Sequence, residues 1–241
     1  TTSYTLTVVA YDSSSSDVED LTISISDAND APDAGVAQTG SVTEDGTSTA
    51  TGTVASSDAD SDTLSYAIDT AAGTYGTLTM SGAAWTYTLD NSAANALDAG
   101  DAPTEVFTIT VSDATTSDTM TVTITVNGAD DAVDAGAAQT GSVTEDATVT
   151  TATGTVAATD PDADSAFTYA IGTAAGTYGT LTIDSVGAWT YTIDNSAANA
   201  LDAGDAPTDA FTITVTDTSS NLDDTMTVTI TVNGADDAVD A

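Results

Sequence analysis

The chain has 241 residues, of which 38 are Asp or Glu, and it contains no Lys, Arg, His or Cys. Without cations it lacks the usual contacts to nucleic-acid phosphates, and without cysteine it forms no disulfides. Nucleophile–base pairs also need side chains that are missing here, so we expect no enzymatic activity. Hydrophobic residues make up 40% of the chain, which is sufficient for a folded core. No apolar run approaches the length of a membrane span.

Long segments of the sequence occur twice. DNSAANALDAGDAPT lies at residues 90–104 and 194–208, and DTMTVTITVNGADDAVDA lies at 118–135 and 224–241. A repeat of about 100 residues is a whole domain, larger than an ordinary solenoid unit. We therefore predict the C-terminal hairpin of an incomplete repeat at 1–26, full repeats at 27–128 and 129–234, and the start of the next linker at 235–241.

The first predicted element is this hairpin, because the hairpin and the linker after it, at residues 4–35, match only the end of a full repeat. This offset frame is typical of a window cut from a longer array. The alternative is that another chain supplies the missing strands, as in donor-strand complementation.

Each full repeat then shows short segments with period-two alternation, which predict strands. In the first repeat they are A near 41–43, B at 47–55, C at 64–69, D at 76–80, E at 84–89, F at 106–111 and G at 120–126. Trp85 and Tyr87 fall on the inward face, as do Trp189 and Tyr191, so core packing is favoured over sugar stacking. Residues 91–100 predict one helical turn. Seven strands in about 100 residues predict an all-β protein of tandem immunoglobulin-like sandwiches.

Acidic residues fall where consecutive domains should meet. Because the strands alternate in direction, the loops holding Glu44 and Asp98 lie at the bottom of one domain, and the loops holding Asp160 and Asp217 lie at the top of the next. Two carboxylates about 4 Å apart repel by roughly 4 kcal/mol at an effective dielectric near 20. The chain has no cationic side chain to neutralise that charge. Ca²⁺ takes about six to eight oxygen ligands, so it suits such a cluster.

The ordered motifs resemble a cadherin repeat. They are an early Glu, TDPDADS after strand B, ALDAGD before strand F, FTITVSD and a terminal DANDAP. Openings such as residues 141–160, together with DNS and ALDAG, resemble more specifically the VCBS repeats of bacterial RTX-type adhesins and giant surface proteins. The resemblance implies a cadherin-like seven-stranded sandwich, Ca²⁺ between domains, and a rigid array that is extracellular, at the cell surface or secreted.

Carried over residue by residue, the resemblance implies a set of metal ligands around three junctions. They are Asp27, Asn29, Asp30, Asp58, Asp60 and Asp113 at the first; Glu44, Asp98, Asp101, Asp130, Asp131, Asp160, Asp162 and Asp217 at the second; and Glu145, Asp202, Asp205, Asp236 and Asp237 after the last full repeat. Two departures stand out. Where the cadherin motif Leu-Asp-Arg-Glu ends in Glu, this sequence has Gly100 and Gly204. Where the first linker begins with Asp27, the second linker has Gly128.

These features predict a structural extender, made of repeats stiffened by Ca²⁺, within a surface adhesin or filament. Its partners are then the neighbouring repeats of the same long chain. One alternative is an adhesive module that recognises a glycan or a like domain. Another is a subunit of an extracellular filament or sheath, which would pair with like chains. The near-identity of the copies favours the extender, because a spacer can be duplicated freely while a recognition surface need not be.

Overall fold

The computed structural model describes residues 2–26, 28–163 and 165–237, and Asp27 lies outside these ranges. Within them the chain forms a hairpin followed by two β-sandwiches. The hairpin consists of β1 (Thr2–Tyr11) and β2 (Ser16–Ile25). The first sandwich comprises β3 (Gln38–Thr43), β4 (Thr49–Thr53), β5 (Ser65–Ile68), β6 (Gly76–Ser81), β7 (Ala84–Leu89), α1 (Asn91–Ala94), β8 (Thr104–Ser112) and β9 (Ser117–Asn127).

The second sandwich repeats this order of elements. It comprises β10 (Gln139–Thr144), β11 (Thr151–Thr155), β12 (Phe167–Ile171), β13 (Gly179–Ile183), β14 (Ala188–Ile193), α2 (Asn195–Ala198), β15 (Thr208–Asp217) and β16 (Asp223–Asn233). Asp90 and Asp194 cap the two short helices by accepting hydrogen bonds from the amides two residues later. The helical turn predicted at residues 91–100 is therefore confirmed.

Each sandwich pairs a four-stranded sheet with a three-stranded sheet. In the first, the strand orders are β3-β9-β8-β5 and β4-β7-β6, and in the second they are β10-β16-β15-β12 and β11-β14-β13. β3 runs parallel to β9, with Val42 opposite Val126, and β10 runs parallel to β16, while the other strand pairs of both sandwiches are antiparallel. This arrangement confirms the predicted all-β, immunoglobulin-like architecture, including the shared direction of strands A and G.

Each sandwich has its own hydrophobic core, built around one tryptophan. Trp85 and Trp189 are 1% and 2% exposed, so the prediction that they pack inside is confirmed. The Trp85 indole Nε1 donates a hydrogen bond of 2.7 Å to the Gln38 side chain, which satisfies its polar group. Gly52 lies directly opposite Trp85 in the β4–β7 pair, and the indole covers its missing side chain. Glycine is therefore required there for space.

We expect Gly52→Ala to destabilise the first sandwich by about 1–3 kcal/mol, because the added methyl group would collide with the rigid indole ring. Gly172→Ala is the matched control, since the nearest atom to its added methyl group would be 3.9 Å away. The control should change stability by less than about 0.5 kcal/mol. Urea unfolding followed by tryptophan fluorescence measures both, and equal midpoints for the two variants would refute this packing argument.

Candidate metal centre

The centre of the site is Glu44, which directly follows β3. Its amide donates a 2.9 Å hydrogen bond to the carbonyl of Asn127, the last residue of β9. Because β3 and β9 are parallel, they end together, and Glu44 lies where the chain leaves the first sandwich. Glu44 is only 2% exposed, yet neither of its carboxylate oxygens accepts a hydrogen bond of ordinary geometry, and the one donor that lowers its pKa is the backbone amide of Ala129. A buried carboxylate without partners is costly, so this side chain is suited to a bound cation.

The linker and the second sandwich meet through two further carboxylates. The Asp131 amide donates to Asp162 Oδ2 at 2.7 Å, and the Asp162 amide donates to Asp160 Oδ1 at 2.9 Å. Asp162 is itself buried, at 5% exposed. Asp131 Oδ2 and Asp160 Oδ2 are buried and unpartnered, like the oxygens of Glu44. These hydrogen bonds fix the linker to the β11–β12 loop and leave acceptor oxygens available.

Carboxylates from both sandwiches and the linker influence one another electrostatically. Burial raises the pKa of Glu44, and repulsion from Asp131, Asp45 and Asp162 raises it further, although the backbone amide of Ala129 offsets part of the effect. Burial likewise raises the pKa of Asp131, with Asp162 as the strongest repelling neighbour. The pKa values of both side chains are raised for the same reasons. Both carboxylates are buried, negative charge is concentrated around them, and no cationic side chain exists to balance it.

The loop before β8 forms the lower side of this junction. Asp130 Oδ1 accepts a 2.8 Å hydrogen bond from the Ala99 amide, and the Gly128 amide donates to the Asp101 carbonyl at 3.0 Å. A Cβ at position 128 would collide with the carbonyl oxygens of Leu97 and Asp98. The departure at Gly128 therefore has a steric cause, since only glycine allows the linker to lie against this loop. Asp98 and Asp101 lie on this loop beside the linker.

Asp217 at the end of β15 is fully buried, but its oxygens are engaged within its own sandwich. Oδ1 accepts from the Ala166 amide at 2.9 Å, and Oδ2 accepts from the Ser219 and Ser220 hydroxyls at 2.5 and 2.9 Å. Burial alone would raise the pKa of Asp217, and these hydrogen bonds outweigh it and hold the pKa well below its usual value. Asp217 thus orders the top loop and remains ionised.

The first junction repeats the pattern of the second. The Asp30 amide donates to Asp60 Oδ2 at 2.7 Å, the Asp60 amide donates to Asp58 Oδ1 at 2.9 Å, and Asp58 Oδ2 is buried without a partner. One carboxylate oxygen from each of Asp58, Asp60 and Asp62 lies within 4.8 Å of the others. Asp62 belongs to the same acidic loop but was not among the predicted ligands. Asp27, which was, lies outside the described residues.

Asn29 and Asp113 complete the described part of the first junction. Asn29 Nδ2 donates to Asp113 Oδ2 at 2.9 Å, and Asp113 Oδ1 accepts from the amides of Thr115 and Thr116 at 2.7 Å each. The Thr116 amide is the strongest of the contacts that lower the pKa of Asp113, followed by the Asn29 side chain. The linker residue Asn29 is therefore docked onto the β8–β9 loop.

The lower end of the second sandwich holds the last group of predicted ligands. Glu145 is 2% exposed, its Oε1 accepts from the Ala235 amide at 2.9 Å, and its Oε2 is unpartnered. Asp236 Oδ1 accepts from the Ala203 amide at 3.3 Å, and the Asp202 amide donates to Asp205 Oδ2 at 3.1 Å. Asp237 Oδ2 accepts from Asn199 Nδ2 at 3.4 Å. This end thus brings together the counterparts of Glu44, Asp98, Asp101 and the linker acids.

Sequence reasoning missed a second kind of buried carboxylate, away from the junctions. Glu105 is 8% exposed and accepts hydrogen bonds from the Tyr87 hydroxyl at 2.5 Å and from the amides of Thr74 and Tyr75. Burial and then this hydrogen bond raise the pKa of Tyr87. Asp209 makes the same contacts in the second sandwich. The alternation that places Phe107 inside also places Glu105 inside, and this was the available signal.

The fold and its acidic junctions define a class of tandem β-sandwich proteins. The family model for the bacterial cadherin-like domain matches residues 29–128 and 129–234, which is most of the chain. The chain therefore belongs to the bacterial cadherin-like domain family. The comparison with curated proteins gave no match.

Solved structures with a similar fold include cadherin domains and a glycoside hydrolase, all of low sequence identity. Protocadherin gamma B7 extracellular cadherin domains 1–4 are 16% identical over 96% of this chain and 58% of that chain, with a TM-score of 0.48. Mouse clustered PcdhgC3 EC1–3 is 19% identical over 97% of this chain and 77% of that chain, with a TM-score of 0.45. An endo-fucoidan hydrolase from glycoside hydrolase family 107 is 18% identical, and the chain spans only 34% of its length at a TM-score of 0.35. At these TM-scores the likenesses carry no argument about function.

Cadherin-like domains are typically extracellular, serve adhesive or structural roles and are typically non-enzymatic. Across the part of the chain that the structure describes, no helix is long and apolar enough to cross a membrane.

Proposed function

We propose that this chain is a structural extender of a bacterial surface or secreted protein, in which Ca²⁺ stiffens the junctions between sandwiches. The observation that carries the proposal is Glu44, a carboxylate that is 2% exposed and whose two oxygens accept no hydrogen bond of ordinary geometry. It faces acids from the linker and from the next sandwich, Asp131 and Asp162, which contribute to raising its pKa. A cation bound at this point converts mutual repulsion into attraction.

The donor set fits Ca²⁺. Every candidate ligand is a carboxylate, an amide oxygen or a backbone carbonyl, which are hard oxygen donors, and the chain has no thiolate or imidazole for Zn²⁺ or Cu²⁺. At the second junction Glu44, Asp131, Asp160 and Asp162 would hold the ion, with Asp98, Asp101 and Asp130 on the lower side. The ion would supply charge neutralisation and a link between three segments of the chain. No reaction is needed for this role.

Stiffness follows from where the ligands originate. Glu44 belongs to the first sandwich, Asp131 to the linker, and Asp160 and Asp162 to the second sandwich. An ion shared by all three would restrict bending at the linker. The first junction repeats the hydrogen bonds of the second, with Asp30, Asp60 and Asp58 in place of Asp131, Asp162 and Asp160. Repetition of one junction supports a regular, extended array.

The proposal extends to context and domain division. Extracellular Ca²⁺ modules often bind with a Kd of about 10⁻⁴–10⁻³ M, which suits a cell-surface or secreted location. The sequence resemblance to VCBS repeats of RTX-type adhesins favours an adhesin or filament as the parent protein. We also propose the division into a hairpin at 1–26, repeats at 27–128 and 129–234, and a further linker at 235–241, with neighbouring repeats as partners.

The proposal is tested by small-angle X-ray scattering of the variant Glu44→Gln with Asp131→Asn. In Ca²⁺ we expect the variant to be more bent and more variable in shape than the unmodified chain, because it loses ligands on both sides of the ion. In EDTA the variant should keep nearly the melting temperature of the unmodified chain, since neither substitution touches a hydrophobic core. EDTA should bend the unmodified chain in the same way.

The matched control is Glu19→Gln with Asp20→Asn, which removes the same two charges from β2, away from the junction. It should scatter like the unmodified chain in Ca²⁺. If the junction variant also does so, Glu44 and Asp131 are not ligands. A glycan array with the same samples separates the alternative, because specific glycan binding by the isolated chain would indicate an adhesive module.

A further inference from the structure

The β1–β2 hairpin has an apolar face that nothing in the described chain covers. Tyr4 and Leu6 on β1 are 58% and 55% exposed, and Leu21 and Ile23 on β2 are 53% and 48% exposed. Leu6 pairs with Leu21 and Tyr4 with Ile23, so all four side chains lie on the same face. An isolated two-stranded hairpin is marginally stable in water, so this face needs a partner.

The complete sandwiches show what covers an equivalent face. Leu6 opposite Leu21 corresponds to Phe107 opposite Val122, each shifted by 101 residues, and these two are 3% and 0% exposed. They pack into one cluster with Trp85 and other side chains of the β4-β7-β6 sheet. The second sandwich covers β15 and β16 in the same way. The molecule therefore contains two examples of the occupant that fits this face.

The tip of the hairpin supplies independent support. Asp12 Oδ1 accepts hydrogen bonds from the amides of Ser14 and Ser15 at 2.7 Å each. Asp113, again 101 residues later, accepts from the amides two and three residues on at the same distances. The tip thus has the hydrogen-bonding pattern of a loop that receives a linker at the top of a complete sandwich.

We infer, building on the domain division proposed above but not on the metal site, that β1–β2 is the closing hairpin of a third sandwich and that its apolar face accepts a five-stranded segment of the β3–β7 type. In the complete sandwiches such a segment is joined to the closing hairpin within one polypeptide, as β7 is joined to β8 through α1. A second copy of this chain is a poor occupant, because its own β3–β7 and β10–β14 already cover the closing hairpins of their own sandwiches.

One position shows how the occupant differs from β3–β7. Tyr4 stands where Glu105 stands in the first sandwich, again at a shift of 101 residues. Glu105 accepts hydrogen bonds from Tyr87 and from two loop amides, whereas Tyr4 brings a neutral hydroxyl. The segment that covers the hairpin therefore differs from β3–β7 where Tyr87 and its neighbouring loop lie.

The test extends the full chain by placing a copy of residues 34–102 directly before Thr2, which corresponds to Pro103. Hydrogen exchange of peptides from residues 2–25 is compared between the unmodified and extended chains. We expect these amides to exchange at least about hundredfold faster than those of β8–β9 in the unmodified chain, and the extension to slow them by about hundredfold. A Tyr4→Glu version of the extended chain restores the missing carboxylate and should protect them further.

The control is the extended chain with Leu6→Asp and Ile23→Asp, which should leave the hairpin unprotected because charges then occupy the apolar face. If both the Tyr4 and the Tyr4→Glu extended chains leave residues 2–25 unprotected, the inference is wrong. It is also wrong if the unmodified chain forms a dimer in sedimentation whose hairpin amides are already protected, because a second copy then covers the face.

Discussion

Millimolar Ca²⁺ should raise the melting temperature of the chain by about 10–20 °C over the value in EDTA. A ligand that binds only the folded state adds about 2.7 kcal/mol per site at a hundredfold excess over its Kd, and each kcal/mol shifts the midpoint of a domain of this size by about 4–8 °C. The physical reason is the repulsion at Glu44 and Asp131, which the ion removes. Differential scanning calorimetry in EDTA and in about 10 mM CaCl₂ measures the shift.

Na⁺ at equal ionic strength is the control for this experiment. Screening weakens repulsion between exposed charges but cannot provide a coordination shell for buried oxygens such as those of Glu44. Na⁺ should therefore raise the midpoint much less than Ca²⁺, and Glu44→Gln should reduce the Ca²⁺ effect. Equal melting temperatures in EDTA and Ca²⁺ would contradict the proposed metal site. An equal rise in melting temperature with Na⁺ and with Ca²⁺ would contradict it as well.

Glu105→Leu should destabilise the first sandwich by about 3–5 kcal/mol. The substitution leaves the buried Tyr87 hydroxyl and the Thr74 and Tyr75 amides without their acceptor, and each unmet buried donor costs about 1–3 kcal/mol. Because each sandwich contains one tryptophan, a Trp189→Phe background makes Trp85 the reporter of the affected sandwich. Denaturant unfolding followed by its fluorescence gives the change in stability.

The control for Glu105 comes from the chain itself. Asp209 receives the hydrogen bonds of Tyr191, Thr177 and Tyr178 in the second sandwich, although its side chain is one methylene shorter. Glu105→Asp should therefore cost much less than Glu105→Leu. If the two variants lose the same stability, the carboxylate is not what holds this part of the sandwich together.

The repeats and the sandwich architecture could be predicted from the sequence because both are properties of spacing. Period-two alternation placed Trp85 and Tyr87 on the inward face, and both are buried. Strand direction then sorted the loops, so Glu44 and Asp162 could be assigned to opposite sides of one junction. These predictions required only the order of residues along the chain and the antiparallel pairing of neighbouring strands.

By itself, then, the sequence determined the fold class and the acidic character of each junction, while the tertiary structure decided what each carboxylate does there. Glu44 and Asp131 keep unpartnered oxygens, whereas the oxygens of Asp113 and Asp217 accept hydrogen bonds from nearby amides and hydroxyls. Sequence alone could not separate these two groups, because hydrogen-bond satisfaction depends on loop conformation to within a fraction of an ångström. The same holds for Glu105, whose donors lie about 20 to 30 residues earlier in the chain and meet it only when the two sheets pack together.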